Sequence, residues 1–267
     1  MSVTLALLLL ASGLVAGVLA GLLGVGGGLV LVAALALVLP GAGVPPAEVM
    51  HVALATSIAS ILATSLSSTR AHQARGSVLW PTVSWLTPGL LAGGVLGALL
   101  AGVLPDLYLR FGVAGFCWLA AWRLATAPSS ASGADGAVPR GPSLSLFGVG
   151  IGVISALVGI GGGSMTVPLL IRRGATPVRA VGSSAACGFA IALSSALGFA
   201  YAGAGAVGLP AYSAGFVYVP AAALIALTSV LSAPYGAALA HRLRGDTLKR
   251  VFALFLVAMG AAVLLRA

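Results

Sequence analysis

The stretch GLLGVGGGLVLV, Gly21 to Val32, interrupts an apolar run with three consecutive glycines at positions 26–28. Glycine costs about 1 kcal/mol relative to alanine in a helix interior, so this run predicts that one helix ends and another begins here. A closely similar stretch, ALVGIGGGSMTVPLL, recurs from Ala156 to Leu170. The sequence therefore predicts the same helix break twice.

The composition of the chain identifies its class. Of the 267 residues, 60% are hydrophobic and 6% are charged, whereas about a quarter of a soluble domain is charged. We therefore expect an all-α polytopic membrane protein in the lipid bilayer. The net charge of +9 is explained by the excess of Lys and Arg that is typical of the cytoplasmic loops of membrane proteins. Because no basic run is interleaved with aromatic residues, no nucleic acid partner is expected. Cys117 and Cys187 lie in apolar segments and predict neither a disulfide nor a metal site, and no cofactor is expected.

The sequence indicates an internal duplication. A polar linker, 128–142, separates a first transmembrane repeat, 1–127, from a second, 143–267. Both repeats carry the glycine motif, then a hydroxyl pair (Thr56-Ser57 and Ser183-Ser184), and both close on similar segments, GALLAGVLPDLYLRF and GAALAHRLRGDTLKRVF. The apolar segments are 3–23, 29–39, 49–69, 78–103, 107–127, 144–160, 164–171, 178–202, 213–240 and 247–265.

The positions of the basic residues favour one topology. If each glycine-broken segment crossed the membrane once, with the N-terminus inside, only five of the 13 Lys and Arg would be cytoplasmic. If each segment instead enters and returns, only Arg110 and Arg266 are external, as the positive-inside rule favours. Each repeat then has a re-entrant or half-helix segment plus three crossing helices, and the repeats are inverted. The residues that become cytoplasmic are Arg70, Arg75, Arg123, Arg140, Arg172, Arg173, Arg179, Arg242, Arg244, Lys249 and Arg250.

The helix breaks have a chemical interpretation. Inverted repeats with discontinuous helices are a recurring design of secondary transporters, which bind substrate near the bilayer midplane. The free N–H groups and the dipole of a half-helix N-terminus attract an anion without a charged side chain. The alternative is that the glycines are notches that let helices approach closely. A phosphate-binding P-loop is disfavoured, because neither copy has the Lys-Ser/Thr ending.

The hydroxyl pairs are candidates to donate to such an anion, since they are equivalent in the two repeats. Hydroxyls on membrane helices also bond to the preceding turn or bridge helices, which is the alternative for each of them. His51 and His72 are the titratable groups near one pore mouth that could carry a proton, although placement at a segment end explains them equally. No acidic relay lies inside the apolar segments, so the membrane potential alone can drive the anion.

These motifs resemble a known family. The duplicated GVGGGLVLV and GIGGGSMTVPLL, each followed by its hydroxyl pair, and the closing GAALAHRLRGDTLKRVFALFLVAMGAAVLL are similar to the sulfite exporter TauE/SafE family. The resemblance implies a multi-pass protein of the bacterial inner membrane that transports a small sulfur-containing anion such as sulfite or an organosulfonate. The family's proline after the glycines is present as Pro168 in the second copy, whereas the first copy has Ala33 nearby.

Our interpretation is a transporter, most simply an exporter, that binds this anion between two half-helix N-termini. A passive anion channel or an uptake permease are the alternatives, and a homodimer is left open. An enzyme is not expected, because the sequence has no paired acids, no His-Glu-x-x-His and no Gly-x-Ser-x-Gly. The candidate substrate-binding residues are Gly26, Gly27, Gly28, Leu29, Thr56, Ser57, Gly161, Gly162, Gly163, Ser164, Ser183 and Ser184.

Overall fold

The fold is a bundle of α-helices. The structure is a computed structural model that describes residues 3–23, 27–126, 139–240 and 245–264. Most of the predicted linker lies outside these ranges. The helices are α1 (Val3–Leu23), α2 (Gly28–Val38), α3 (Val49–Gln73), α4 (Trp80–Val103), α5 (Asp106–Thr126), α6 (Ser143–Val158), α7 (Gly163–Arg172), α8 (Pro177–Ala202), α9 (Val219–Ala240) and α10 (Gly245–Leu264). Two short 3-10 helices, Leu39–Ala42 and Pro46–Glu48, connect α2 to α3.

Several helices have the length and composition of membrane spans. Among the described residues, five stretches qualify by both criteria: Val3–Leu22, Pro46–Gln73, Trp80–Val103, Pro177–Ala202 and Val219–Gly236. Helices α5 and α10, with 21 and 20 residues, are long enough to span but carry charged residues in their first turns. The all-α polytopic membrane fold is therefore confirmed.

One predicted helix begins later than expected. The sequence predicted an apolar segment over 213–240, but α9 starts at Val219, after a two-stranded antiparallel hairpin, β1 (Ser213–Ala214) and β2 (Val217–Tyr218). Gly215, at the turn of the hairpin, has φ 55°. A residue with this left-handed conformation interrupts a helix, and glycine adopts it without a Cβ penalty.

The helices of the two predicted repeats pack reciprocally. In the predicted duplication, helices α1 to α5 correspond to α6 to α10. Helix α1 packs on α9, and α6, its counterpart, packs on α4, the counterpart of α9. The pairs α3–α8 and α5–α10 each join corresponding helices. The contacts are therefore preserved when the two repeats are exchanged.

In the α1–α9 pair and in the α4–α6 pair, the two helices run parallel and meet at glycine residues. Gly13 and Gly17 of α1 lie against Thr228 and Ser232 of α9, so these helices run parallel. In the other pair, successive glycines of α4 lie against successive turns of α6, again in parallel: Gly89 on Ser145, Gly93 on Val149 and Gly97 on Val153. A Cβ on Gly97 would be 2.8 Å from the Cα of Val153. Glycine is thus required for close helix packing here, as in other membrane bundles.

Candidate functional site

Both predicted helix breaks are present. Gly27 precedes α2 with φ 63° and ψ 1°, and Gly162 precedes α7 with φ 72° and ψ −4°. Both N-cap residues adopt the left-handed conformation that disfavours any residue with a Cβ, and neither helix has a side-chain cap. Gly26 lies outside the described residues.

The N-cap glycine of each half-helix lies beside the helix that precedes it. Gly27 lies against the backbone of Ala16 in α1, and Gly162 lies against Ile151 and Ser155 in α6. Ala16 and Ile151 are equivalent positions in the two repeats. The two breaks therefore have the same local geometry.

The start of α2 contacts the other break directly. A Cβ on Gly28 would collide with the carbonyl oxygen of Gly159 and would be 2.8 Å from the Cα of Ile160. Gly159 itself, which ends α6, has φ 75°. Leu29 is buried beside this contact. Only residues without a side chain allow the two backbones to approach this closely.

Ser57 joins the two breaks. This residue of α3 is fully buried, and its Oγ lies 3.2 Å from the carbonyl oxygen of Gly28 and 3.0 Å from that of Gly159, to which it donates. The single hydroxyl hydrogen thus lies within bonding distance of a backbone acceptor in each broken segment. Its role toward an anion stays a prediction.

Thr56 and Ser183 have a different, reciprocal contact. Ser183 in α8 accepts a hydrogen bond of 2.8 Å from the backbone N–H of Leu79, which immediately precedes α4. Thr56 in α3 accepts one of 3.0 Å from the N–H of Tyr218, which immediately precedes α9. Each hydroxyl therefore holds the start of a helix in the other predicted repeat, in line with the helix-bridging alternative considered for it.

A small cavity lies beside the α6–α7 turn. It has a volume of about 10 Å³, enough for roughly one water molecule, and is lined by residues of α1, α3, α8 and the turn. Ser184 is the predicted hydroxyl that lines it. Its other lining residues include Ala20, Ser65, Ser68, Gly161 and Gly188.

Sequence reasoning did not include Ser65 and Ser68 among the binding candidates. A signal for them exists, because Ile61, Ser65, Ser68 and His72 follow at spacings of four, three and four residues, which place them on one helix face. Ser65 donates to the carbonyl oxygen of Leu62 at 3.0 Å. The Oγ atom of Ser68, a residue that is 2% exposed, has no hydrogen-bond partner among the described residues.

Gly163 and Ser164 form the first turn of α7. Gly163 is buried, and Ser164 is half-buried. The Ser164 Oγ atom also has no hydrogen-bond partner in the part of the chain that the structure describes. Nothing in this geometry tests whether these residues bind an anion.

The two histidines do not share a pore mouth. His51 and His72 are both in α3 and 21 residues apart, about 30 Å along the helix axis, so the prediction that both lie near one mouth is wrong. His51 Nδ1 is 3.2 Å from Glu48 Oε2, its Nε2 is 3.0 Å from the carbonyl oxygen of Leu104, and its ring stacks on Phe216. His72 Nε2 lies 3.4 Å from the carbonyl oxygen of Gly21. Both side chains are buried rather than exposed at segment ends.

A buried ion pair fixes the first turn of α5. Arg110 pairs with Asp106, and Asp106 also accepts the backbone N–H of Met50 at 2.7 Å. Arg110 donates further to the carbonyl oxygen of Val263 in α10 at 3.3 Å. This pair therefore ties α5 to the start of α3 and the end of α10. Among the described residues, no group of three or more His, Cys, Asp or Glu side chains could hold a metal ion.

Comparisons with known proteins cover almost the whole chain. The family described as "Sulfite exporter TauE/SafE" matches residues 9–263. A "Probable membrane transporter protein" of Haemophilus influenzae is 34% identical over 264 residues, which are 98% of this chain and 99% of that protein. No solved structure matches the chain. The chain therefore belongs to the sulfite exporter TauE/SafE family of membrane transporters.

Proposed function

We propose that this transporter exports a small sulfur-containing anion, such as sulfite or an organosulfonate, across the bacterial inner membrane. The observation that carries the proposal is the contact between the glycine-capped start of α2 and the turn that leads into the second glycine-capped half-helix, α7, beside the buried Ser57. The first N–H groups of each half-helix have no intrahelical acceptor, and the helix dipole makes these termini positive. Such termini stabilise an anion in a membrane that offers no water.

We further propose that the two repeats are inverted. Thr56, near the start of α3, contacts the start of α9, whereas Ser183, near the start of α8, contacts the start of α4. Helices α3 and α4 are consecutive and joined by a short segment, so they start at opposite ends of the bundle. These contacts imply that α8 starts at the opposite end from α3, its counterpart.

The glycine-broken segments then enter and return. The contact of Thr56 implies that the start of α9 is at the same end of the bundle as the start of α3. Because α1 runs parallel to α9, α1 also starts at that end, and the chain must come back to it after α2 to begin α3. The parallel pair of α6 and α4 gives the same argument for the second repeat. The half-helices α2 and α7 thus approach the centre of the bundle from opposite sides, as a substrate site between them requires.

The basic residues support export as the direction. In this arrangement every described arginine except Arg110 lies at the end where α3 finishes and α8 starts. The positive-inside rule assigns that end to the cytoplasm. Positive charge there raises the local concentration of anions, and a membrane potential that is negative inside favours their exit by about 2.3 kcal/mol per unit charge per 100 mV.

The small volume of this cavity supports a carrier rather than a channel. A space of about 10 Å³ holds one water molecule and is too small for an oxyanion, so passage requires the helices to move. A carrier of this kind exchanges internal and external substrate and saturates, whereas an open channel does neither.

The first test is ligand-dependent thermal stability of the purified protein. We expect one or more of sulfite, thiosulfate, sulfoacetate and taurine to raise the melting temperature. Sulfate is included to compare sulfur oxyanions of different charge, and chloride is the control. A ligand at 100 times its Kd adds about 2.7 kcal/mol to the free energy of unfolding. Equal shifts with chloride, or no shift with any anion, would refute the proposal. Counterflow of labelled substrate in proteoliposomes then separates a carrier from a channel.

A further inference from the structure

The small cavity beside the α6–α7 turn differs chemically from the surrounding core. Most of the bundle interior is aliphatic, but this cavity is lined by three hydroxyl side chains, Ser65, Ser68 and Ser184, and by the backbone of Gly161. The remaining wall consists of Ile61 and the small residues Ala20, Ala185 and Gly188. An apolar wall that carries a few hydroxyl groups is suited to a compact ligand with polar atoms.

Ser68 is the informative member of this set. Its Oγ atom is buried and has no hydrogen-bond partner among the described residues. Buried hydroxyl groups are normally hydrogen-bonded, and leaving one without a partner in an apolar medium is costly. The Ser68 hydroxyl lines the cavity and can donate to a ligand without first breaking an internal bond.

The neighbouring serine of α3 provides a contrast. Ser67 faces away from the cavity and donates to the carbonyl oxygen of Val230 in α9 at 2.9 Å. Ser57, Ser60 and Thr64 are likewise engaged with carbonyl groups within the protein. The adjacent residues Ser67 and Ser68 thus differ in role: the hydroxyl of Ser67 is structural, whereas that of Ser68 is available to a ligand.

The surroundings of the cavity favour negative charge. Gly161 immediately precedes Gly162, the N-cap of α7, so the positive end of that helix is at the cavity. No acidic side chain is among the cavity-lining residues. A hydroxyl group orients its hydrogen toward an acceptor and so serves an oxyanion without a permanent charge.

We propose that this cavity is the closed form of the anion site and that Ser68, together with Ser65 and Ser184, donates hydrogen bonds to the oxygen atoms of a sulfite or sulfonate group. The inference rests on the proposed function and names the side chains that would perform it. The site lies on the cytoplasmic side of Ser57 in the orientation proposed above. Separation of α1 from α8 enlarges it, because these two helices contribute the small residues of its wall.

Ser68→Ala is the direct test, with isothermal titration of the purified protein by sulfite and by sulfoacetate. We expect the affinity for the better ligand to fall about tenfold or more, because a hydrogen bond to a charged group is lost. The melting temperature without ligand should not change, since no internal hydrogen bond is removed. The control Ser67→Ala should lower the melting temperature and leave the affinity unchanged.

Gly188→Ala tests the size of the site. A Cβ on Gly188 would be 3.2 Å from the carbonyl oxygen of Gly161 and 3.6 Å from the Cβ of Ser65, so the chain accommodates it with a small shift while the cavity becomes narrower. We expect a larger loss of affinity for sulfoacetate than for sulfite. Gly150→Ala is the matched control, because nothing lies within 4 Å of a Cβ at that position.

The outcomes distinguish the two proposals. If the wild-type protein binds none of the sulfur anions, the proposed function fails and the assignment of Ser68 fails with it. If the wild type binds and both Ser68→Ala and Gly188→Ala bind equally well, the cavity assignment is overturned while the transport function stands. A fall in melting temperature for Ser68→Ala as large as that for Ser67→Ala, without loss of affinity, would also overturn it, because the role would be structural.

Discussion

At the scale of single residues, Thr56 and Ser183 provide hydrogen-bond acceptors for backbone N–H groups where a helix starts inside the membrane bundle. The first N–H groups of a helix have no partner within it, and no water is available in an apolar core. Thr56 supplies an oxygen to Tyr218 before α9, and Ser183 supplies one to Leu79 before α4. Since each acceptor belongs to the other repeat, these bonds also fix how the repeats fit together.

Removing either acceptor should destabilise the protein. For Ser183→Ala and Thr56→Val, which nearly preserve shape, we expect the free energy of unfolding to fall by about 1–3 kcal/mol each, because a buried N–H loses its partner. The melting temperature in detergent measures this change. Affinity for the transported anion should be retained, since neither hydroxyl lines the cavity proposed as the anion site.

The control for this pair is Ser84→Ala. Ser84 is exposed in the first turns of α4 and donates only to the carbonyl oxygen of Pro81 within its own helix. We expect a change within about 0.5 kcal/mol. An unchanged melting temperature for Ser183→Ala combined with weaker anion binding would contradict the structural assignment and make Ser183 an anion ligand.

The sequence identified these hydroxyls but not their separate tasks. Equivalence between repeats singled out the pairs Thr56-Ser57 and Ser183-Ser184, yet Ser57 joins the two helix breaks, Ser183 holds α4, and Ser184 lines the cavity. Which group lies opposite a hydroxyl depends on packing between distant segments, and repeat equivalence contains no information about that. Helix periodicity would have added Ser65 and Ser68, which share a face with His72.

At the scale of elements, the two half-helices are alike in their starts but differ in their surroundings. Helix α2 is apolar and most of its residues are buried, whereas α7 buries only Gly163, Thr166 and Leu170. The two N-cap glycines also differ in how closely the backbone of other helices packs against them. A Cβ on Gly27 would collide with the backbone of Ala16, but one on Gly162 would meet the end of the Ile191 side chain. A side-chain terminus can move aside at less cost than a helix backbone.

This difference predicts unequal effects of the same substitution. Gly162→Ala should cost about 1–2 kcal/mol of folding free energy, mainly because alanine is disfavoured at positive φ. Gly27→Ala should cost more, about 2–5 kcal/mol, because overpacking against Ala16 adds to that penalty. Melting temperature and the yield of monodisperse protein measure both effects.

A glycine outside the breaks provides the reference. Gly112 of α5 has no atom within 4 Å of an added Cβ, so Gly112→Ala should be neutral or slightly stabilising, by about 0.5–1 kcal/mol at most. Equal losses for Gly27→Ala and Gly162→Ala would contradict the asymmetry between the two half-helices. No loss for either variant would contradict the left-handed conformation of both N-caps.

The helix breaks were predictable because their cause is local. Three consecutive glycines terminate a helix whatever surrounds them, and the predicted segments 29–39 and 164–171 agree within a residue or so with α2 and α7. The hairpin at 213–218 was missed because its residues are as apolar as a helix. Composition identifies a hydrophobic segment, but the turn at Gly215 depends on backbone conformation that hydropathy does not report.

At the scale of the whole molecule, charges and aromatic residues give the bundle two different ends. The described arginines other than Arg110 are near the ends of α3 and α5 and the starts of α6, α8 and α10, while Glu48 and Asp106 are near the starts of α3 and α5. The outer surface carries partly exposed tryptophans, Trp80 and Trp85 on α4 and Trp118 and Trp122 on α5. Tryptophan is favoured at membrane–water interfaces, so this surface is suited to a bilayer with its basic end in the cytoplasm.

The proposed topology makes a prediction that does not depend on absolute orientation. If the glycine-broken segments return, a cysteine at Ala74, after α3, and one at Ala211, before β1, lie on opposite sides of the membrane; both positions are exposed. If each broken segment crosses once, the second repeat is turned over and both cysteines lie on the same side. Labelling by a membrane-impermeant maleimide in whole cells and in inverted vesicles should therefore modify Ala211→Cys in cells and Ala74→Cys only in vesicles. The native Cys117 and Cys187 are buried, and their replacement by alanine provides a background without labelling. Modification of both positions from the same side would refute the inverted arrangement, and with it the argument that the two half-helices meet one anion from opposite directions.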